Sequence, residues 1–391
     1  MINFLSTNSM AGAFSLVLPI LIILPAVLIY FACAGHYEWV RFEQGESLIN
    51  YESNYRNSDM FVLNSVYVRV KNSHDDANIH TWLLTKKNED SETSRPLVIM
   101  SHGLGGQKDM GLLPYAEKFA MNDYAVLMID YRYFGLSTNS AKTKFRNLID
   151  PWNHVEDIKT VLNAVIHDGV LGGAVDVNNI VLWGTSFAGG HMLRVAHQNP
   201  IPNIKAVISQ VPHLDGKAAS LRALKARGPV GFLRVMALAV TDIVITQLNK
   251  FALLLGVDVN LPSIYVKIIG TGKDSAYMVI HPTELDQYFA KHPTHYLGGW
   301  QNRAPARTLA YMSLYSPVED IPHITVPVLF ITATQDTLCP PESVRAAAQI
   351  AQRGTLLEID STHFDIYQGE KFNHISDEMV RFMTENINVR K

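Results

Sequence analysis

Cysteine is almost absent from this chain of 391 residues. Cys33 and Cys339 are its only two, which excludes a disulfide framework, and so distant a pair has no metal-ligand spacing. Charge is scarce as well. Asp, Glu, Lys and Arg make up 18% of residues, against about 25% in an average soluble domain. Lys and Arg (33) nearly balance Asp and Glu (36), so the net charge of −3 carries no footprint for nucleic acid. The sequence contains no Asn-x-Ser/Thr sequon, no internal repeat and no low-complexity tract. What it has in quantity is apolar surface, 48% of residues, which excludes a disordered protein.

The amino terminus holds part of that excess. No charged side chain precedes Glu38, and Ala11–Ala34 is an uninterrupted apolar segment. A helix needs about 20 apolar residues to cross a bilayer, and Pro19 and Pro25 are tolerated in such a span. Residues 1–34 therefore read as an uncleaved single-pass anchor. A signal peptide is the competing reading, because Ala32-Cys33-Ala34 has the small-x-small form. A helix buried on the domain is the third. Arg41 after the span, with nothing basic before it, favours a cytoplasmic catalytic domain. Residues 35–59 are polar and turn-rich and read as a linker.

Two short β-rich runs follow, Val66–Val70 and Ile79–Leu84, and the polar Asn72–Asp76 between them predicts a hairpin. Buried runs then alternate with helical patterns. Leu97–Met100, Ala125–Ile129, Ile180–Trp183 and Ala206–Val211 read as strands; Leu113–Met121, Val155–Ile166 and Phe187–His197 read as helices. This rhythm predicts an α/β fold, a parallel sheet covered on both faces. It stops over residues 217–322, which read as an inserted helical cap. There Phe232–Leu255 is strongly apolar, but Arg234, Asp242 and Lys250 argue against a second span. The rhythm resumes with strands Val328–Thr332 and Leu356–Ile359 and a closing helix over Ser376–Thr384. The catalytic domain is thus expected over residues 60–216 and 323–391.

Gly184-Thr185-Ser186-Phe187-Ala188 lies between an expected strand and an expected helix. This is the setting of a G-x-S-x-G elbow, with Ala188 at the last glycine position; the tight turn lifts the serine hydroxyl to the sheet edge. An N-capping serine in an ordinary βα turn is the bland alternative. A serine nucleophile needs a base, and the base an orienting carboxylate. In the chain order serine, acid, histidine, the candidates are Asp336, just past Val328–Thr332, and His363, just past the last strand. Both sit where open α/β sheets form their sites. Asp360, Asp365 and His374 are less well placed, and most of the fifteen histidines read as surface residues. The oxyanion requires backbone donors. One is the N–H of Phe187; the other, by analogy with His-Gly-x-Gly-Gly loops, is that of Leu104 in His102-Gly103-Leu104-Gly105-Gly106. A dinucleotide loop is excluded by Lys108 where glycine is needed, and a phosphate loop by the missing Gly-Lys-Ser/Thr.

His102-Gly103, Asp130–Ser137, the Ser186 elbow, Asp336 and His363 together resemble the α/β-hydrolase superfamily. Asp130–Ser137 is similar to its D-x-R-G-x-G-x-S turn, with Tyr133 in place of the first glycine. His363–Tyr367 and Val211–Gly216 resemble the branch of dienelactone-hydrolase-like and acetylxylan-esterase-like proteins and polyketide acyltransferases. The resemblance implies an α/β-hydrolase fold and a serine hydrolase cleaving carboxylic esters or thioesters through an acyl-enzyme. It implies no cofactor and no metal; the partners are a small ester or acyl substrate and, through the amino terminus, a membrane. The greasy cap favours a lipid-like acyl group. An acyltransferase using the same triad is the alternative, and a non-catalytic binding protein on this fold is a third reading.

Overall fold

The computed structural model describes residues 58–70, 77–87, 94–137, 145–173, 175–257, 261–270, 277–280 and 300–387, with Tyr55 and Glu284. The expected anchor over residues 1–34, most of the expected linker and the turn 72–76 lie outside the described residues.

Alternating apolar residues place one sheet between two layers. The strands β1 (Phe61–Arg69), β2 (Asn78–Lys86), β3 (Arg95–Ser101), β4 (Ala125–Ile129), β5 (Val175–Thr185) and β6 (Ile204–Gln210) precede the cap, and β11 (Val328–Ala333) and β12 (Gly354–Ile359) follow it. They form one eight-stranded sheet in the order β1-β2-β4-β3-β5-β6-β11-β12. β2 is antiparallel to both β1 and β4, and every later pair is parallel. The first two strands pair as the expected hairpin, but β1 begins at Phe61, earlier than the apolar run suggests. Its exposed edge alternates with polar residues that hide its start. β3, β4 and β11 are buried along their whole length, as strands covered on both faces must be.

Leu97, Ile99, Leu127, Leu182 and Phe330 face the helices Pro151–His167, Phe187–Gln198 and Pro341–Ile350. Their neighbours Val98, Met100, Val126, Trp183 and Ile331 face Leu113–Met121 and Gly369–Asn386. The period of two thus feeds two separate cores. Between β6 and β11 the chain leaves the sheet. Here stand the helix Gly216–Leu254, capped by Asp215 through the amides of Lys217 (2.8 Å) and Ala218 (3.1 Å), and a short helix Thr308–Ser313. Four two-residue strands, β7 (Tyr265–Val266), β8 (Ile269–Gly270), β9 (Met278–Val279) and β10 (Ala304–Pro305), pair as β7 with β10 and β8 with β9. Gly216–Leu254 is the one helix among the described residues long and apolar enough to cross a membrane, and it is internal rather than N-terminal.

The turn after β4 ties the loops above the sheet together. Tyr133, at the first glycine position of the D-x-R turn, adopts φ 71°. The left-handed shape a glycine would take is therefore kept by a bulky residue, held where the amide of Asn147 donates to its carbonyl (2.9 Å). Arg132 binds buried Asp157 through Nε (2.7 Å) and its own amide (2.8 Å). Asp130 is wholly buried, and its carboxylate accepts from the Lys108 ammonium, the Lys108 amide (2.9 Å) and the Leu136 amide (3.2 Å). Burial alone would raise the Asp130 carboxyl; Lys108 and its hydrogen bonds hold it instead at about 2. Breaking a buried pair leaves an uncompensated charge. Lys108→Met is therefore expected to lower the unfolding free energy by about 3–5 kcal/mol, read by urea unfolding followed through tryptophan fluorescence.

Candidate active site

β5 runs directly into the helix Phe187–Gln198, and Ser186 makes the turn at φ 56°, ψ −118°. Few non-glycine residues hold such a backbone, and those that do cluster at functional sites. The neighbours over-determine it. The Ser186 amide donates to Gln210 O (2.8 Å), and its carbonyl accepts from Gly189 (3.0 Å) and His213 (2.9 Å). Two residues earlier, a Cβ on Gly184 would lie 2.3 Å from the Ala188 carbonyl oxygen, so strand and helix approach this closely only with glycine there.

The sheet's carboxyl edge brings the three candidates together. His363 Nδ1 lies 2.6 Å from Asp336 Oδ2 and His363 Nε2 lies 3.1 Å from Ser186 Oγ. The other Asp336 oxygen accepts from the amides of Leu338 and Cys339, each at 2.8 Å, so the carboxylate is fixed before it meets the ring. Nδ1 donates to a carboxylate, which leaves Nε2 free to accept the serine proton. Ser186 is 9% exposed, Asp336 5% and His363 2%, so reagents reach them only through the cleft above. Asp360 instead accepts from Thr334 and Gln335, Asp365 pairs with Lys371 (3.6 Å), and His374 is exposed on the last helix.

The loop after β3 forms one side of the cleft. Leu104 lines it beside Ser186, and a Cβ on Gly103 would stand 3.1 Å from Ser186 Cβ. The amide of Phe187 opens its helix, where the first N–H groups have no intrahelical acceptor and the helix dipole favours negative charge. Both expected oxyanion donors thus belong to segments that border the serine. His102 is buried, and burial lowers its imidazole to about 4, so the ring is neutral at pH 7. Its Nδ1 lies 3.0 Å from Gly103 O, an acceptor, so this nitrogen carries the proton.

Other wall residues carried no signal in the sequence. Met110, Ile268, Ile269, Met278, Trp300 and Phe364 make the cleft apolar, and four of these come from the cap. Trp300 Nε1 donates to Gly105 O (2.6 Å), joining the cap to the β3 loop across nearly two hundred residues of chain. Among the ten described histidines only His167, His323 and His374 are exposed. His80, His102, His154 and His191 are buried, the last two well below the usual histidine range through burial and neighbouring rings. The bare residue type reads as polar, whereas neutral rings pack like aromatics: His154 stacks on Tyr131 with centroids 3.9 Å apart.

Cys339, three residues past Asp336 and hydrogen-bonded to it through its amide, lies beside Asp336 and His363. Ligand atoms of Asp336, Cys339 and His363 lie within 4.8 Å of one another. Burial, then the Asp336 charge, push the thiol well above its ordinary value. Asp336 and His363 already spend their facing atoms on each other, so the arrangement suits proton transfer rather than ligation.

Asp109, behind the same loop, is 3% exposed, and neither carboxylate oxygen has a hydrogen-bond partner among the described residues. Burial, reinforced by the Asp130 charge, raises it to about 7. A carboxyl raised on folding contributes fully below its unfolded value and loses that contribution as pH rises through the folded one. Asp109's own contribution is therefore expected to fall between pH 4 and 7 or just above, whereas the buried neutral His80, His102, His154 and His191 make stability rise over the lower part of that range. Asp109→Asn should remove the falling component, so that stability rises more from pH 4 to 7 than in wild type, and should be the more stable protein at pH 8, by urea unfolding at several pH values; an unchanged slope would count against it.

The chain is similar to known proteins over most of its length. Residues 92–361 match the family described as serine aminopeptidase, S33. The quorum-quenching protein AidA of Acinetobacter baumannii is 31% identical over 300 residues, covering 77% of this chain and 90% of that protein. The polyketide transferase ATR5 of Stachybotrys chlorohalonatus is 24% identical over 297 residues, 74% of this chain and 88% of its own. Among solved structures, the α/β hydrolase GrgF from a Penicillium species superposes with a TM-score of 0.63 at 18% identity, covering 83% of this chain and 99% of that one.

Proposed function

The chain belongs to the α/β-hydrolase superfamily, and from that premise we propose that it is a serine hydrolase of carboxylic esters or thioesters with an apolar acyl group. The observation that carries this reading is the continuous relay Ser186 Oγ to His363 Nε2 (3.1 Å) and His363 Nδ1 to Asp336 Oδ2 (2.6 Å). Ser186 Oγ attacks the substrate carbonyl carbon while its proton passes to His363 Nε2. Asp336 stabilises the imidazolium without taking its proton. The amides of Phe187 and Leu104 receive the developing oxyanion. Collapse expels the alcohol or thiol, which leaves with the proton from His363, and the acyl group stays on Ser186. Water, deprotonated by His363, then attacks the acyl-enzyme and releases the acid. The walls Leu104, Met110, Ile268, Ile269 and Met278 favour an apolar acyl chain over a sugar.

Labelling by a fluorophosphonate probe tests the nucleophile. Wild type is expected to label and Ser186→Ala to remain unlabelled; a folded wild-type protein that resists the probe would overturn the reading. Asp336→Asn keeps the shape but frees the wrong tautomer, and should cost about 10⁴-fold in kcat against a chromogenic ester.

Acyl transfer is the second reading, supported by the sequence likeness to a polyketide transferase. The same acyl-enzyme then meets an alcohol or amine instead of water. A panel of esters of rising acyl length, with and without added alcohols, separates these cases. Longer acyl groups should raise kcat/KM, and the acid should be the main product; a strict acetyl preference would sink the apolar-acyl assignment, and a dominant transfer product would favour the second reading.

A further inference from the structure

The helix Gly216–Leu254 is broken at Gly228 (φ 70°, ψ 170°), and Pro229 opens its second half. That half buries one face. Leu238, Ala239, Thr241, Asp242 and Ile245 pack inwards, and Asp242 accepts from Arg307 Nη1 (2.9 Å) and from the amides of Ile264 (2.9 Å) and Arg307 (3.1 Å). The opposite face is apolar too, and among the described residues it is left exposed. Val230, Leu233, Val240, Phe251 and Leu254 follow one another at helical spacing, with Val230 81% and Leu254 84% exposed. A helix apolar all round is normally buried all round. A contiguous exposed patch of this kind marks an interaction surface.

Charge identifies what covers it. Between Gly216 and Leu254 the basic residues are Lys217, Arg222, Lys225, Arg227, Arg234 and Lys250, and the sole acid is the buried Asp242. Lys217, Lys225, Arg234 and Lys250 are exposed. In a chain of net charge −3, this is a local reversal of sign. Arg234 and Lys250 bracket an outer stretch with no other charge, and their long stems let the charged heads rise while the apolar bodies sink. A second copy on this face would oppose like charges, which disfavours pairing. Crossing a bilayer would strip Asp242 from Arg307 and leave both charges in hydrocarbon.

We propose that the outer face of this helix lies flat on the surface of an anionic lipid bilayer. Val230, Leu233, Val240, Phe251 and Leu254 enter the boundary between headgroups and acyl chains, and the exposed basic residues sit among anionic headgroups. The same insertion supplies Ile268, Ile269, Met278 and Trp300 to the cleft. The inference goes beyond the hydrolase reading and does not depend on it.

The test uses the full chain, so that its amino terminus is common to every variant. In a Cys33→Ser background, Leu233→Cys, Val240→Cys, Leu254→Cys and, as control, Glu385→Cys on the exposed side of the last helix each carry an environment-sensitive fluorophore. Vesicles of phosphatidylglycerol and phosphatidylcholine contain doxyl-labelled acyl chains. Shallow doxyl groups should quench positions 233, 240 and 254 several-fold more than 385. Lys225→Gln with Arg234→Gln should raise the phosphatidylglycerol content needed for half-quenching by on the order of tenfold. Ser186→Ala should leave the quenching unchanged, so docking and hydrolysis fail separately. Quenching no greater than at 385, or equal in pure phosphatidylcholine, would overturn the proposal. So would deep quenching at 240 with shallow quenching at both ends, which means a crossing helix. Protection that grows with protein concentration in the absence of vesicles would assign the face to self-association instead.

Discussion

Everything above the sheet is arranged around one tight turn. A strand that passes into a helix over a single residue must place that residue at positive φ, and Ser186 is that residue. Such a conformation costs about 1–3 kcal/mol and persists only because its surroundings allow no relaxed alternative. Gly184 meets the Ala188 carbonyl at a distance no side chain could accept. β6 holds the Ser186 amide, and the segment leading to the cap holds its carbonyl. The Ser186 hydroxyl then stands at the carboxyl edge, 3.1 Å from Nε2 of His363 in the last loop.

The two loops that serve this serine are fixed by different means. The acid loop is held by ordinary turn chemistry, with Asp336 accepting the amides of Leu338 and Cys339. The β3 loop is held by a buried charge pair. Lys108 and Asp130 have no access to water, and their desolvation is offset by the backbone amides that complete the carboxylate's bonding. Because the Asp130 carboxylate also accepts from the Leu136 amide (3.2 Å) of the D-x-R turn, while the Asp130 carbonyl accepts from the Ser137 hydroxyl (2.7 Å), one residue ties both segments together. Asp109 stands beside that pair, and among the described residues neither of its carboxylate oxygens has a hydrogen-bond partner, so the loop that borders Ser186 carries a group raised by burial to about 7.

The parts of this arrangement legible in the sequence were local. Strands β3, β4, β5, β6 and β11 announce themselves because they are apolar on both faces. Ser186, Asp336 and His363 stand out because each closes such a run in the right order. Residues whose roles depend on distant packing gave no signal. Trp300 meets Gly105 only because the cap folds back over the sheet. Tyr133 looks like the loss of a glycine, yet the backbone keeps the glycine's shape at φ 71°. Histidines mislead for a related reason: a polar residue type predicts exposure, whereas His154 and His191 are neutral rings in an aromatic cluster that includes Phe187 of the elbow helix.

The division of labour between body and cap explains why chemistry is easier to read here than substrate. Serine, histidine, aspartate and the backbone donors beside them come from strand ends of the sheet, where the fold leaves little freedom. The selective walls come largely from the insertion, through short strands and single side chains whose placement depends on the long helix. That helix is bound to the cap core by one buried pair, Asp242 with Arg307, and a few apolar contacts. Its remaining surface is apolar and basic, a combination that water serves poorly. Variation of this kind is grafted onto the fold by its insertions: the segment that supplies much of the cleft's apolar wall is also the one that carries this exposed apolar and basic face.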